Sequence, residues 1–190
     1  MEKNRFILFD RDGVINIEKS YLYKIEDFEY ESGVIEGLEK LKKLGYRFLI
    51  ITNQAGIARG YYTEEDYLKL EKFIMEDLKN KGIKIEKTYY CPHHPEGKEN
   101  YGIECDCRKP NTGNFLKAIE EFQIDVKKSF MVGDRITDLI PAEKLGFKTV
   151  LVKTGYGMKN ISKLADNGLK SLVVGSISEF GDFLKENGAM

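Results

Sequence analysis

Cysteine and histidine are scarce in this 190-residue chain: three and two residues, all five between positions 91 and 109, in CPHHPEGKENYGIECDCRK. An odd number of cysteines confined to one segment does not make a disulfide framework; it favours metal or redox use in a reducing compartment. Net charge is also nearly absent, at −1 with 30 basic against 31 acidic residues. No basic field exists to recruit nucleic acid or an anionic membrane, so neither is expected as a partner and an anionic substrate has to be caught locally. Long apolar runs are missing too. The opening MEKNRFILFD holds only a few consecutive apolar residues, too few for a leader's core, and nothing later approaches the roughly 18 residues of a membrane span. A cytoplasmic protein is expected. Internal repeats, low-complexity segments and linkers are also lacking.

What is present is a chain 42% hydrophobic and 32% charged, which fits one globular domain over 1–190 with a good-sized core. Short apolar β-type runs alternate with longer amphipathic segments: RFILF, VIEGLEKLKKLG, YRFLIIT, TEEDYLKLEKFIMEDLKNKG, IEKTYY. After the cysteine stretch the rhythm resumes with TGNFLKAIEEF, SFMVGD, DLIPAEKLG, KTVLV and a closing SLVVGSISEFGDFLKENG. Continuous apolar strands bracketed by helices predict a doubly wound (Rossmann-like) α/β fold, its parallel sheet covered on both faces. Thr63 and Asp66 form a capping box, and Gly45, Gly82 and Gly146 sit where helices should stop.

In such a fold ligands bind beyond the carboxyl ends of the strands. Asp10-Arg11-Asp12-Gly13 follows the first apolar run, Thr52-Asn53-Gln54 the second, and Asp134, with Asp138 four residues on, follows SFMVG. Arg108 and Lys109 follow the cysteine stretch. Two residues apart on an extended chain, Asp10 and Asp12 share one side at about 6.6 Å and can face one substrate. Asp134 adds a third carboxylate, and a sparse oxygen set of this kind suits Mg²⁺. Taken singly, each motif is an ordinary turn or strand-end cap; their occurrence at successive strand ends is what points to chemistry.

The order Asp10-x-Asp12-Gly13, Thr52-Asn53, Lys109, Gly133-Asp134-x-x-x-Asp138 resembles the four motifs of haloacid dehalogenase superfamily phosphatases over most of the chain. The resemblance implies Asp10 as nucleophile and Asp12 as general acid and base, with Thr52 and Lys109 holding the phosphoryl oxygens. It implies Mg²⁺ on the side chains of Asp10 and Asp134 and the backbone carbonyl of Asp12, with Asp138 supporting the site from behind. About 40 residues lie between the first two motifs, so no separate cap domain is expected.

Cys91-x-His93 and Cys105-x-Cys107 supply three thiolates and one imidazole, a closed tetrahedral set for Zn²⁺. With no position left for water, such a zinc is structural. It would order a loop rich in Pro and Gly and deliver Arg108 and Lys109 to the catalytic edge. His94 is left out of the ligand set because neighbours on an extended chain point apart. Pro110 stiffens the exit before a helix that opens near Thr112.

The stretches TNQAGIARG at 52–60, YYCPHHPEG at 89–97 and CDCRKP at 105–110 resemble the zinc-loop subgroup that contains D-glycero-D-manno-heptose 1,7-bisphosphate phosphatases, with histidinol-phosphate phosphatases close by. By that resemblance Glu18, Lys19, Ser20 and Tyr21, then Asn53, Gln54 and Ala55, then Arg108 and Arg135 contact substrate. Asn111-Thr112-Gly113 departs from the His-Pro-Gly or Lys-Pro-Gly expected after Arg-Lys-Pro. The implied activity is Mg²⁺-dependent removal of the C7 phosphate of a heptose bisphosphate by a monomer. The alternatives are hydrolysis of histidinol phosphate or another small phosphomonoester, and a catalytically silent zinc-binding interaction module.

Overall fold

Phe6–Phe9 forms β1, and all four residues are buried because each face of the strand meets a different layer. Ile7 and Phe9 pack into one apolar cluster, Phe6 and Leu8 into another. A parallel strand covered on both sides can use such a run without polar alternation. The computed structural model describes residues 4–188. Its sheet has six parallel strands, ordered β3-β2-β1-β4-β5-β6. The others are β2 (Arg47–Asn53), β3 (Ile85–Cys91), β4 (Phe130–Gly133), β5 (Lys148–Val152) and β6 (Leu172–Val174). The chain steps outward from β1 to β3, returns beside β1 as β4, and steps outward the other way. The strand order therefore reverses between β1 and β4, where ligands of this architecture bind.

Seven α-helices flank the sheet among the described residues: α1 (Val34–Lys43), α2 (Ala55–Arg59), α3 (Glu64–Asn80), α4 (Gly113–Phe122), α5 (Ile136–Lys144), α6 (Gly157–Asp166) and α7 (Ile177–Asn187). Leu38 and Leu41 of α1, Leu70, Ile74 and Leu78 of α3, and Phe180 and Leu184 of α7 cover one face. Phe115 and Ala118 of α4 and Ala142 of α5 cover the other. The Thr63–Asp66 capping box forms as the sequence indicates, and Gly45, Gly82 and Gly146 take positive φ just beyond helix ends. Thr112 does stand before α4, but its side chain makes no cap.

The sequence reading did not anticipate α2 or α6. The first is five residues long, and the second opens on Gly157 without a side-chain cap. Leu164 of α6 packs against Ile136, Leu139 and Leu151, so tertiary burial rather than local propensity forms that helix. No separate cap domain stands over the carboxyl edge, and no helix among the described residues is long and apolar enough to cross a membrane.

Gly37 lets α1 lie directly on the start of α7. A Cβ there would come 2.6 Å from both the carbonyl carbon of Ile177 and the amide nitrogen of Ser178. Backbone cannot step aside as a side-chain tip can. Gly37→Ala is expected to destabilise the fold by about 1–3 kcal/mol despite alanine's better helix propensity, read as a lower urea midpoint. An unchanged or higher midpoint would contradict this packing.

Candidate active site

The end of β1 passes directly into Asp10, whose N–H donates to the carbonyl of Val132 at 3.0 Å and ties it to β4. Thr52 and Asn53 close β2, and Asp134 follows β4. Lys109 comes from the far side of the cysteine loop, and Asn53 fixes it. The Asn53 amide donates from Nδ2 to the carbonyl of Lys109 and accepts at Oδ1 from its N–H, both at 3.0 Å. Both polar groups of Asn53 are thus spent on Lys109 backbone.

The Lys109 ammonium then reaches Asp10 Oδ1 at 2.8 Å, Asp138 Oδ1 at 2.7 Å and the carbonyl of Ile51 at 2.7 Å. All three donors are used. Burial opposes its charge, but the two carboxylates prevail and hold its pKa above the usual lysine range. The carboxylates are strained in the other direction. Burial, with repulsion from Asp138, pushes Asp10 up to about 7 in spite of Lys109. Asp134 rises to about 8 through burial and the nearness of Asp138 and Asp10.

Asp134 Oδ2 accepts from the N–H of Tyr156 at 2.7 Å, whereas Oδ1 is buried with no hydrogen-bond partner. Oxygens of Asp10, Asp134 and Asp138 lie within 4.8 Å of one another. An orphaned carboxyl oxygen in an oxygen-only cluster fits a hard divalent cation such as Mg²⁺, which would displace the proton. Asp138 has both oxygens engaged, on Lys109 and on the N–H of Arg135 at 3.0 Å. Gly13 permits this closeness: it has φ +82°, and a Cβ would fall 2.4 Å from Asp134 Oδ2.

Asp12 is held by different partners. Arg11 Nη2 donates to its oxygens at 2.9 and 3.0 Å, and Asn16 Nδ2 and Gln54 Nε2 each donate at 3.0 Å. Against burial, these hold its pKa below the usual carboxylate range. Gln54 Nε2 also donates to Thr52 Oγ1 at 3.0 Å, leaving the Thr52 hydroxyl hydrogen free to point elsewhere. The hydroxyl of Tyr62 donates to Gln54 Oε1 at 2.6 Å.

Asp10, Asp12, Thr52, Asn53, Gln54, Lys109 and Asp138 line a cavity of about 350 Å³ together with Glu18, Ser20, Tyr21, Ala55, Arg108 and Arg135. Lys19 does not line it; its ammonium pairs with Glu29 instead. Glu18 accepts from Arg135 Nη2 at 3.4 Å, and the Arg135 guanidinium lies 3.7 Å over the ring of Tyr156. Arg59, Tyr62, His94, Thr137 and Tyr156 also line the cavity and were not foreseen from the motifs. Arg11 was passed over as well. It is wholly buried, with its guanidinium 5.4 Å from the Tyr67 ring centre and behind Asp12, and no local pattern distinguishes it from a surface arginine.

Cys91, His93, Cys105 and Cys107 converge, with neighbouring Sγ and Nδ1 atoms 2.7 to 3.8 Å apart and no disulfide among them. Three thiols and an imidazole nitrogen around one point fit a closed tetrahedral zinc site. The loop is tied down beyond these four. Lys98 N–H donates to the carbonyl of Ala58 at 2.7 Å, and the hydroxyls of Tyr90 and Tyr101 donate to Glu64 at 2.7 and 2.8 Å.

Residues 106–179 match a family model described as HAD-hydrolase-like. A D-glycero-beta-D-manno-heptose-1,7-bisphosphate 7-phosphatase of Pasteurella multocida is 42% identical over 180 residues, covering 94% of this chain and 96% of that protein. The chain belongs to the heptose-bisphosphate phosphatase family of the haloacid dehalogenase superfamily. A Photorhabdus laumondii relative named as acting on the alpha anomer is 48% identical, covering 81% and 85% of the two chains. The heptose bisphosphate phosphatase of B. bronchiseptica, solved with magnesium and phosphate, superposes with a TM-score of 0.84 at 26% identity over 97% of this chain and 99% of that one.

In this phosphatase, Asp10 and Asp134 keep their protons to higher pH than they do in the unfolded chain. Without metal, the folded protein therefore binds more protons than the unfolded one between about pH 4 and 8, and its stability falls as pH rises through that window. Asp12, with its lowered pKa, acts oppositely and only at more acid pH. With a chelator present, the urea midpoint is expected to drop from about pH 5 to 8, and Mg²⁺ to reverse most of the drop. A flat profile would contradict the carboxylate cluster.

Proposed function

We propose that this phosphatase removes the C7 phosphate of D-glycero-D-manno-heptose 1,7-bisphosphate through an aspartyl-phosphate on Asp10. The observation that carries the reading is the buried Asp10, bonded to Lys109 at the mouth of β1 beside an orphaned Asp134 oxygen. The substrate is taken from the relatives' names, which include both anomers. The enzyme acts as a cytoplasmic monomer, one domain across 1–190, on a free sugar phosphate.

Asp10 attacks phosphorus in line with the departing C7 oxygen, forming a carboxyl–phosphate bond as the ester bond breaks. Lys109 has no spare donor, so a phosphoryl oxygen gains its ammonium only when a present partner lets go. Asp10 is the partner whose charge the reaction removes, so its bond is the one exchanged. Thr52 offers its free hydroxyl hydrogen to another phosphoryl oxygen. Asp12 is ionised at rest, and a dianionic phosphate beside it raises its proton affinity. It protonates the leaving oxygen, then takes a proton from the water that attacks phosphorus and releases Asp10. Mg²⁺, which the side chains of Asp10 and Asp134 and the Asp12 carbonyl would hold, supplies charge neutralisation for phosphoryl transfer. Zn²⁺ on Cys91, His93, Cys105 and Cys107 would order the loop that carries Arg108 and Lys109. Asn53 acts through Lys109, and Gln54 through Asp12 and Thr52.

Phosphate release is measured with Mg²⁺ on the heptose bisphosphate and on histidinol phosphate. Preference for the heptose compound is expected, with no turnover by Asp10→Asn and a loss of about a hundred- to ten-thousandfold in Asp12→Asn. Preference for histidinol phosphate would overturn the substrate, and full activity of Asp10→Asn the mechanism. Stoichiometric zinc is expected in purified protein. Its removal should increase hydrogen exchange across 91–109 and abolish turnover that Mg²⁺ alone cannot restore; metal-free protein with an ordered loop would refute the structural zinc.

A further inference from the structure

Arg59, the last residue of α2, and His94 of the cysteine loop line the cavity beside Arg108. The N–H of Glu96 donates to Nδ1 of His94 at 3.1 Å. A backbone amide can only donate, so Nδ1 holds its lone pair and the ring proton sits on Nε2. Nε2 lies 3.3 Å from Nη2 of Arg59. Both atoms are donors, and neither satisfies the other. Nη2 of Arg59 has the exposed carboxylate of Glu96 at 3.1 Å, while its Nε is buried with no acceptor at all. Arg108 is steadied on the same wall by a bond from Nη1 to the carbonyl of His93 at 3.3 Å.

The geometry points to Arg59 and His94 as an anion subsite that receives the phosphate a bisphosphate substrate keeps. It rests on the proposed sugar-bisphosphatase activity and adds the residues that tell a bisphosphate from a monophosphate. One phosphate oxygen can accept from Nε2 of His94 and Nη2 of Arg59 together, replacing a donor–donor contact with two charge-assisted bonds. Arg108 lines the same cavity and adds a second positive charge facing it. Glu96 must release Arg59 as the anion enters; its side chain is 75% exposed, so returning it to water costs little. Before substrate arrives, Glu96 keeps Arg59 in place.

The test compares kcat/KM on heptose 1,7-bisphosphate with that on heptose 7-phosphate, which has the reacting phosphate alone. His94→Ala is expected to lower the ratio of the two at least about tenfold, chiefly by raising KM for the bisphosphate. His94→Gln can present an amide N–H where Nε2 was and is expected to recover most of that ratio. Arg59→Lys keeps the charge but loses the fork and should lower the ratio as well. Zinc content is measured for each protein. Equal losses on both substrates, or a ratio that glutamine fails to restore while zinc is retained, would overturn the subsite. Wild-type protein inactive on the bisphosphate would instead sink the proposed activity.

Discussion

One ammonium group organises this molecule. Lys109 Nζ stands among Asp10, Asp138 and the carbonyl of Ile51, buried at the floor of the cavity. Carboxylates crowded into a buried well repel one another and seek protons; a cation shared between two of them lowers the cost of an anionic Asp10, the proposed nucleophile. Much of the surrounding architecture serves that contact. The strand-order reversal brings Asp10 beside Asp134, and Gly133 leaves room for Asp138, whose Cβ would lie 2.5 Å from a Cβ at that position. Asn53 grips the lysine's backbone so that its side chain enters at one angle.

The cysteine loop belongs to the same arrangement. Lys109 lies two residues beyond Cys107, on a segment with only one short turn of helix, Glu99–Tyr101. Such a segment cannot hold a buried charge in place unless its own conformational entropy is offset. Zinc on the four convergent ligand atoms would do this at the centre, and Glu64, Ala58 and Asn53 do it at the margins. The same loop carries Arg108, His94 and Glu96, so its geometry sets both the reacting end of the cavity and its outer wall.

Much of this was legible in the sequence, for identifiable reasons. The parallel sheet followed from runs such as RFILF and FMVG, which only a doubly covered strand makes reasonable, and the capping box of α3 from its own four residues. The convergence of Cys91, His93, Cys105 and Cys107 was readable because ligand spacing is local. What escaped depends on contacts across the fold. Asn53 lines the cavity, but nothing local shows that its amide also grips the backbone of a residue 56 positions away. Lys19 shares a loop with Glu18 and Tyr21 yet turns to Glu29, because rotation along an irregular segment is set by what it packs on. Arg11 looked like the variable residue of its motif and is among the largest fully buried side chains. Helix α6 opens on a glycine without a side-chain cap, so its start carries no local signal, and Leu164 packs it against Ile136, Leu139 and Leu151.

The central claim is that Asp10, held by Lys109, attacks phosphorus. A single turnover by Asp12→Asn, in which release of the intermediate is slowed, is quenched in acid and its peptides are weighed. The account predicts one phosphoryl group on the peptide containing Asp10, lost on treatment with hydroxylamine as an acyl phosphate is. Cleavage of the ester with no phosphorylated peptide, or with the group on a histidine, would contradict it.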